Sequence, residues 1–596
     1  MIPVTFAGCF GWLHEAPGNV GVLLCTGLGG EALGAHLPLR VLADRLARAG
    51  YPTLRFDYAD TGDSCDSGGD EPLAAWRQSV TAAADHLRRS GVERIVLCGL
   101  RFGATMAALE AATRDDVAGL ILLAPLVSGF SYSRVLQARS QFARWTPPQD
   151  PGWLEADGLR LPDATLDALA DINLGRIDRL AASRVLLMDP AGGSAVTGYA
   201  AQLRGGGAEV TQTGFEADKL LCHSFRSAVP EADYATLLDW LRANVPVANV
   251  PVAAQPGPAR ERGAAPPLHG PGWVEEPVRM GAAGHLFGIL CQPAGPPSDV
   301  AVVIGNASAD PHYGNCRFHV ELARHLAGNG MASLRIDFAG LGDSLAGAAG
   351  ADEAQTDAYE VSRTADLALA LDLLERRGYR RLMLGGLCSG AYHALHGALA
   401  DARVAGLILL NLTAFKWRAG RSVGDTMAES RPPTRFYLET LRSGEAWKRL
   451  RQGQVNIPGV ARTLGRRALG RAALAGARLA ELAGAPTASG FPRRVMRELS
   501  RRGVQVLVLS GLQDSGLEVL EENFGSRGVR LAALPGVTVQ VVAGIDHGLT
   551  RSAMRATVAA NVADFLRAAF RVTAPTPAAE DRAGQGQVQA NQVLAQ

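Results

Sequence analysis

Cys388 stands in the pentapeptide G-L-C-S-G, residues 386–390, between an apolar run and a helix-like run. The centre of such a turn is strained, and its neighbours must be small for strand and helix to approach each other. The following helix points its positive N-terminal end at the turn, which favours a thiolate. Two further residues fit the same chemistry. Asp514 lies in VLVLSGLQDSG and His547 in VQVVAGIDHGLT, each just past an apolar run. With the chain order nucleophile, acid, base, His547 would draw the thiol proton, and Asp514 would hold the imidazole in one tautomer. Asp546 is the rival acid, but adjacent side chains diverge, so it is assigned to the turn. The expected oxyanion donors are the backbone N–H of Ser389 and one from G-N-A-S-A-D, at Asn306 or Ala307.

These residues need strands that end at one rim, and the chain supplies such strands twice. LRFDYADTGDS (54–64) returns as LRIDFAGLGDS (334–344), 280 residues later. VAGLILL (117–123) returns at 404–410, 287 residues later. Short β-branched runs alternate with amphipathic helical runs in both copies, which predicts a parallel sheet covered on both faces. The expected fold class is α/β: two doubly wound, mostly parallel sheets. The expected boundaries are 1–245 for the first domain, 246–272 for a Pro/Gly-rich linker, 273–572 for the second domain and 573–596 for a disordered tail.

The first copy departs from the second where the chemistry is. Its elbow, I-V-L-C-G-L-R-F-G, carries Arg101 in the place of Cys388, and Gly193 aligns with Asp514. A guanidinium stays protonated and cannot be a nucleophile. This copy therefore reads as catalytically inactive, with Arg101 as a candidate anion site for a carboxylate or phosphate. The G-D-S loops, present in both copies, read as fold support. His312 and Tyr313, near the oxyanion loop, are candidates for substrate contact, whereas His393 and His396 read as packing residues.

Composition removes several function classes. Charged residues are 20% of the chain and the net charge is +1, so nothing draws the whole molecule to nucleic acid. No apolar run approaches the roughly 18 residues of a membrane span, and the N-terminus makes a poor signal peptide. Eight Cys without a C-x-x-C suggest reduced thiols in the cytoplasm. No phosphate loop or metal-ligand spacing occurs, so neither cofactor nor metal is expected. Charge is nonetheless uneven. Residues 416–502 hold 19 Lys and Arg against 6 Asp and Glu. This stretch falls within an insertion in the second copy, at about 413–502, and is expected to be a basic lid. A basic lid suits an acidic donor: the phosphates of coenzyme A, an acidic carrier protein or an anionic glycan. Anionic lipid is a further option.

The strand–elbow–acid–His pattern resembles the α/β-hydrolase superfamily. Within it, both copies are similar to the hydrolases associated with exosortase A and exopolysaccharide gene clusters. LFGILCQPAG, LRIDFAGLGDS, GLCSGA and VAGLILLNL carry that similarity in the second copy, and VLLCTGLGGEALGAH and LRFDYADTGDS in the first. A Cys in the elbow also resembles dienelactone hydrolases and polyester synthases, which implies Cys–His–Asp chemistry by hydrolysis or by acyl transfer. The expectation is an enzyme that cleaves an ester or thioester through an acyl-enzyme. The alternatives are an acyltransferase from a coenzyme A or carrier thioester to an alcohol or amine, and a non-catalytic scaffold.

Overall fold

A computed structural model describes residues 1–69, 71–141, 151–177, 182–190, 193–248, 265–346, 359, 363–417, 465, 476 and 490–572. Most of the expected lid, the centre of the expected linker (249–264) and the tail 573–596 lie outside these residues. The chain has an α/β fold with two large sheets. In the first half run β1 (Ile2–Phe6), β2 (Cys9–His14), β3 (Val20–Cys25), β4 (Thr53–Phe56), β5 (Arg94–Leu100), β6 (Val117–Leu123), β7 (Trp153–Ala156), β8 (Leu159–Pro162), β9 (Arg184–Met188) and β10 (Glu209–Thr213). In the second run β11 (Leu268–Gly270), β12 (Trp273–Met280), β13 (Leu286–Pro293), β14 (Val300–Ile304), β15 (Ala332–Asp337), β16 (Arg381–Leu387), β17 (Val404–Leu410), β18 (Gln505–Gly511) and β19 (Val537–Val542).

The first sheet is ordered β1-β2-β4-β3-β5-β6-β9-β10 and the second β11-β12-β13-β15-β14-β16-β17-β18-β19. From β4 and from β15 onward the pairing is parallel, and before them it is antiparallel. Even an irregularity repeats: the register shifts at Ile95/Val96 in one sheet and at Leu382/Met383 in the other. The inner parallel strands are buried almost throughout because helices cover both faces, whereas the edge strands β10 and β19 carry polar residues and are only partly covered. β6, for example, is buried at every position. β7 and β8 form a separate hairpin. β11 lies inside the segment expected to be linker, so the second sheet begins earlier than the Pro/Gly content suggests. The helix Phe491–Arg501 closes the expected lid segment. Its Val495, Met496 and Leu499 pack into the second sheet's core, so it belongs to the sheet's covering layer. No helix among the described residues is long and apolar enough to cross a membrane.

The two halves meet through β2 and β13. Phe10, Trp12, Trp273, Phe287 and Ile289 form one apolar cluster, with Trp12 and Phe287 ring centres 4.6 Å apart. Beside it the G-D-S loops exchange charges reciprocally. Arg55 of the first half donates to Asp343 of the second at 2.8 Å, and Arg335 of the second donates to Asp63 of the first at 2.9 Å. Each loop is tied down in the same way. Ser64 Oγ accepts from Phe10 N–H and donates to the Asp57 carbonyl, while Ser344 Oγ accepts from Phe287 N–H and donates to the Asp337 carbonyl. Gly62 and Gly342 sit at φ +47° and +50°, where a Cβ would fall 2.1–2.2 Å from the carboxylates of Asp57 and Asp337. Glycine is therefore required in both loops.

Candidate active site

Cys388 links β16 to the helix Ser389–Ala400 with φ 56° and ψ −114°. A non-glycine residue is rarely held there, and such strain concentrates at functional sites. Its N–H donates to the Leu410 carbonyl at 3.0 Å, which pins the turn to the next strand. The glycines around it are explained by proximity. A Cβ on Gly390 would lie 2.8 Å from the Asn306 carbonyl oxygen, and one on Gly386 would lie 2.5 Å from the backbone of Gly390. Strand, helix and the loop after β14 thus touch backbone to backbone.

Asp514 follows β18 and caps the helix Ser515–Phe524 by accepting from Gly516 N–H at 2.7 Å. Its other oxygen lies 2.6 Å from His547 Nδ1. Asp514 is 3% exposed, whereas the His547 side chain is 31% exposed and reachable. An Nδ1–H donated to Asp514 leaves Nε2 for the thiol. Burial alone would push the Cys388 thiol up, but the charge on His547 and its hydrogen bond outweigh that and bring it below its ordinary value. Burial would push His547 down; Cys388 and Asp514 together hold it well above the ordinary imidazole range. The pair is therefore set toward thiolate and imidazolium. Asp546 accepts from Thr550 N–H at 3.0 Å and so serves the turn.

The oxyanion loop lies against the elbow. Ser389 Oγ accepts from Ser308 N–H at 2.6 Å, which takes that amide out of service. The Asn306 side chain is a brace: its amide donates to the Asp310 carbonyl and to Asp337, and its oxygen accepts from Phe338 N–H. What Asn306 and Ala307 can offer a substrate is backbone N–H, beside that of Ser389 at the helix start.

Three residues of the candidate site, two beside the thiol and one behind the His547 loop, escaped sequence reasoning. Tyr359 Oη and Thr413 Oγ1 lie 3.8 and 3.9 Å from Cys388 Sγ, and 3.1 Å from each other. Asn411, at φ 46°, donates to the carbonyls of Asp546 and His547 at 3.1 Å and accepts from Gly511 N–H. It ties the His547 loop to the end of β17. The first copy has Ala124 at this position, with φ 44°. Comparing the two copies could have singled out Asn411; nothing in the sequence pointed to Tyr359 or Thr413.

The first copy keeps the backbone geometry of the elbow, with Arg101 in the place of Cys388. Arg101 has φ 56° and ψ −117°, and its N–H donates to the Leu123 carbonyl. Its guanidinium faces Glu31, with Nε 3.4 Å from Oε1. The anion site expected at Arg101 thus already holds a carboxylate, which offsets the charge an incoming anion would meet. Gly193 donates its N–H to Asp189 at 3.3 Å. His312 is not a substrate contact. It is 1% exposed and bridges Asp337 and Asp63 at 2.7 and 2.5 Å. His312, Asp337 and Asp343 bring ligand-type atoms within 4.8 Å of one another. His312 is held across the halves by Asp63, Asp343 by Arg55 and His36, and Asp337 within its own half by His312 and Asn306, so an ion would have to displace those pairs.

No protein-family model and no curated protein matches this chain. Among solved structures it is similar to the esterase Est1E from Butyrivibrio proteoclasticus with ferulic acid bound, at 19% identity over 40% of this chain and 99% of that one, TM-score 0.31. It is also similar to the α/β hydrolase GrgF from Penicillium sp. sh18, at 16% identity over 41% and 97%, TM-score 0.30. A third is α/β hydrolase domain-containing protein 10 from mouse, at 16% identity over 40% and 97%, TM-score 0.29.

Proposed function

We propose that the chain is a tandem α/β-hydrolase in which the second half cleaves an ester or thioester with Cys388, His547 and Asp514. The observation that carries this reading is the 2.6 Å contact between His547 and Asp514, next to a thiol that His547 brings below its ordinary value. The Cys388 thiolate attacks the acyl carbon, and the negative charge forms on the carbonyl oxygen facing the N–H groups of Ser389 and of Asn306 or Ala307. Collapse breaks the bond to the leaving group, which takes its proton from His547. His547 then accepts a proton from water as that water attacks the thioester of the acyl-enzyme. The acid leaves and Cys388 is restored. An alcohol or amine in place of water makes the same cycle an acyl transfer.

In this reading the first half is an inactive copy: Arg101, Ala124 and Gly193 stand where Cys388, Asn411 and Asp514 stand in the second. A coenzyme A or carrier-linked donor remains tied to the basic segment, which lies mostly outside the described residues. The test is intact-mass analysis after exposure to a panel of acyl thioesters. A mass gain equal to the acyl group in the wild type, absent from Cys388→Ala, is expected. Equal behaviour of the two proteins removes the nucleophile. An adduct that persists in water and clears only when an alcohol or amine is added assigns transfer.

A further inference from the structure

The loop after β14 carries the expected oxyanion donors, and several of the bonds that hold it come from the other half. Ser224 of the first half donates to Asp310 Oδ1 at 2.5 Å. Asp310 closes the turn that contains Asn306 and Ala307. Its N–H donates to the Ala307 carbonyl at 3.0 Å, and its own carbonyl accepts from the Asn306 side chain at 2.7 Å. Further on, Tyr313 Oη lies 3.4 Å from His36 Nδ1, and Arg317 Nε donates to the Gly62 carbonyl at 2.8 Å. Together with His312 against Asp63, these contacts grip the loop from Asp310 to Arg317.

The loop that carries His547 is held from the same side. Arg551 donates to the carbonyls of Glu155 and Ser140 at 2.7 and 2.9 Å. The Glu155 carboxylate accepts from Ser552 N–H at 3.0 Å and from the Ser552 hydroxyl. Glu155 stands on β7, which with β8 makes a two-stranded sheet outside the main sheet of its half. Asn315 ties the two loops to each other by donating to the Gly548 carbonyl at 2.9 Å. Ser224 is 6% and Arg551 7% exposed, so these bonds are largely shielded from water, where they hold most firmly.

We propose that the first half is a template for the catalytic loops of the second, with Ser224 and Glu155 as positioning residues. Ser224 sets the oxyanion loop through Asp310, and Glu155 sets the His547 loop through Ser552. This rests on the reading of Cys388, His547 and Asp514 as the acyl-handling site. It gives a task to a copy whose own elbow carries Arg101, and to a hairpin that lies outside the main sheet. A remote change that shifts a catalytic group by about 1 Å can cost about 100-fold in rate.

Two reactions of Cys388 in the full-length protein separate the two loops, each followed by peptide mass mapping. Acyl transfer from a thioester to Sγ builds charge on a carbonyl oxygen and needs the oxyanion donors. Alkylation by iodoacetamide forms the S–C bond as iodide leaves, so it reports the thiolate that His547 maintains and makes no oxyanion. Ser224→Ala should slow acylation about 10- to 100-fold and leave the alkylation rate and its pH midpoint as in the wild type. Glu155→Ala should move the alkylation midpoint upward, toward that of His547→Ala. Glu155→Gln still accepts from Ser552 N–H and should restore most of the wild-type profile. Wild-type behaviour of Ser224→Ala and Glu155→Ala in both reactions overturns the proposal. So do losses that strike both reactions alike and follow the fraction of folded protein, which is what plain packing would give. A wild type that is alkylated but takes no acyl group sinks the ester or thioester reading instead; the Glu155→Ala midpoint then still decides whether the first half positions His547.

Discussion

At Cys388 two effects oppose each other: burial raises the thiol and His547 lowers it, and the second prevails. Removing His547 should leave burial acting alone. Alkylation of Cys388 by iodoacetamide, followed by peptide mass mapping across pH, should therefore show half-maximal reactivity below the ordinary 9.0 in the wild type and above it in His547→Ala. Identical profiles would end the thiolate–imidazolium pairing. Asp514→Asn isolates the other contact. Asn still accepts from Gly516 N–H as a cap, so the fold should hold. Its amide facing Nδ1 favours the wrong tautomer, and kcat should fall by about 10⁴-fold with the melting temperature nearly unchanged. The candidate residues could be singled out because the chain carries its own control: Cys388 against Arg101 and Asp514 against Gly193. Asn411 against Ala124 carries the same signal. It went unread because an Asn after a strand looks like a turn residue until its bonds to the His547 loop are seen.

At the scale of elements, the elbow depends on a crossing where no side chain fits. Gly390→Ala would place a Cβ 2.8 and 2.9 Å from the carbonyl oxygens of Asn306 and Gly305, and neither can retreat without moving the oxyanion loop. The expected cost is about 1–3 kcal/mol, as for other overpacked sites. It should appear as a lower melting temperature together with a loss of acylation larger than the loss of stability explains. Full acylation at wild-type stability would show that the loop yields freely. The six parallel strands of the second sheet were readable from their continuous apolar runs. The antiparallel strands ahead of them were not. β2 is buried at all six positions, including Gly11 and His14, because the other half covers it, so neither alternation nor an apolar run marks it. β11 is three residues long and sits among prolines, where composition argues for a linker.

At the scale of the whole molecule, the buried charges between the halves work as a mutual lock. Burial would raise the Asp63 carboxyl, but His312 and Arg335 outweigh it and hold it far below the ordinary 3.8. Burial would lower His312; Asp63 and Asp337 raise it well above the ordinary 6.5. The signs set a window. A depressed carboxyl contributes stability that is complete above the unfolded value and lost as pH falls through the folded one. A raised imidazole contributes stability that is complete below the unfolded value and lost as pH rises through the folded one. The network therefore contributes fully between pH 3.8 and 6.5 and weakens on either side. Thermal unfolding of the full chain across pH should show that plateau. Asp63→Asn should cost about 3–5 kcal/mol inside it, because Arg335 and His312 are left buried beside a neutral group. It should also shrink the alkaline limb, since His312 then keeps only Asp337. A variant whose curve is merely displaced downward, with both limbs intact, would mean that these charges are bystanders and that the apolar cluster of Phe10, Trp12 and Phe287 alone joins the halves.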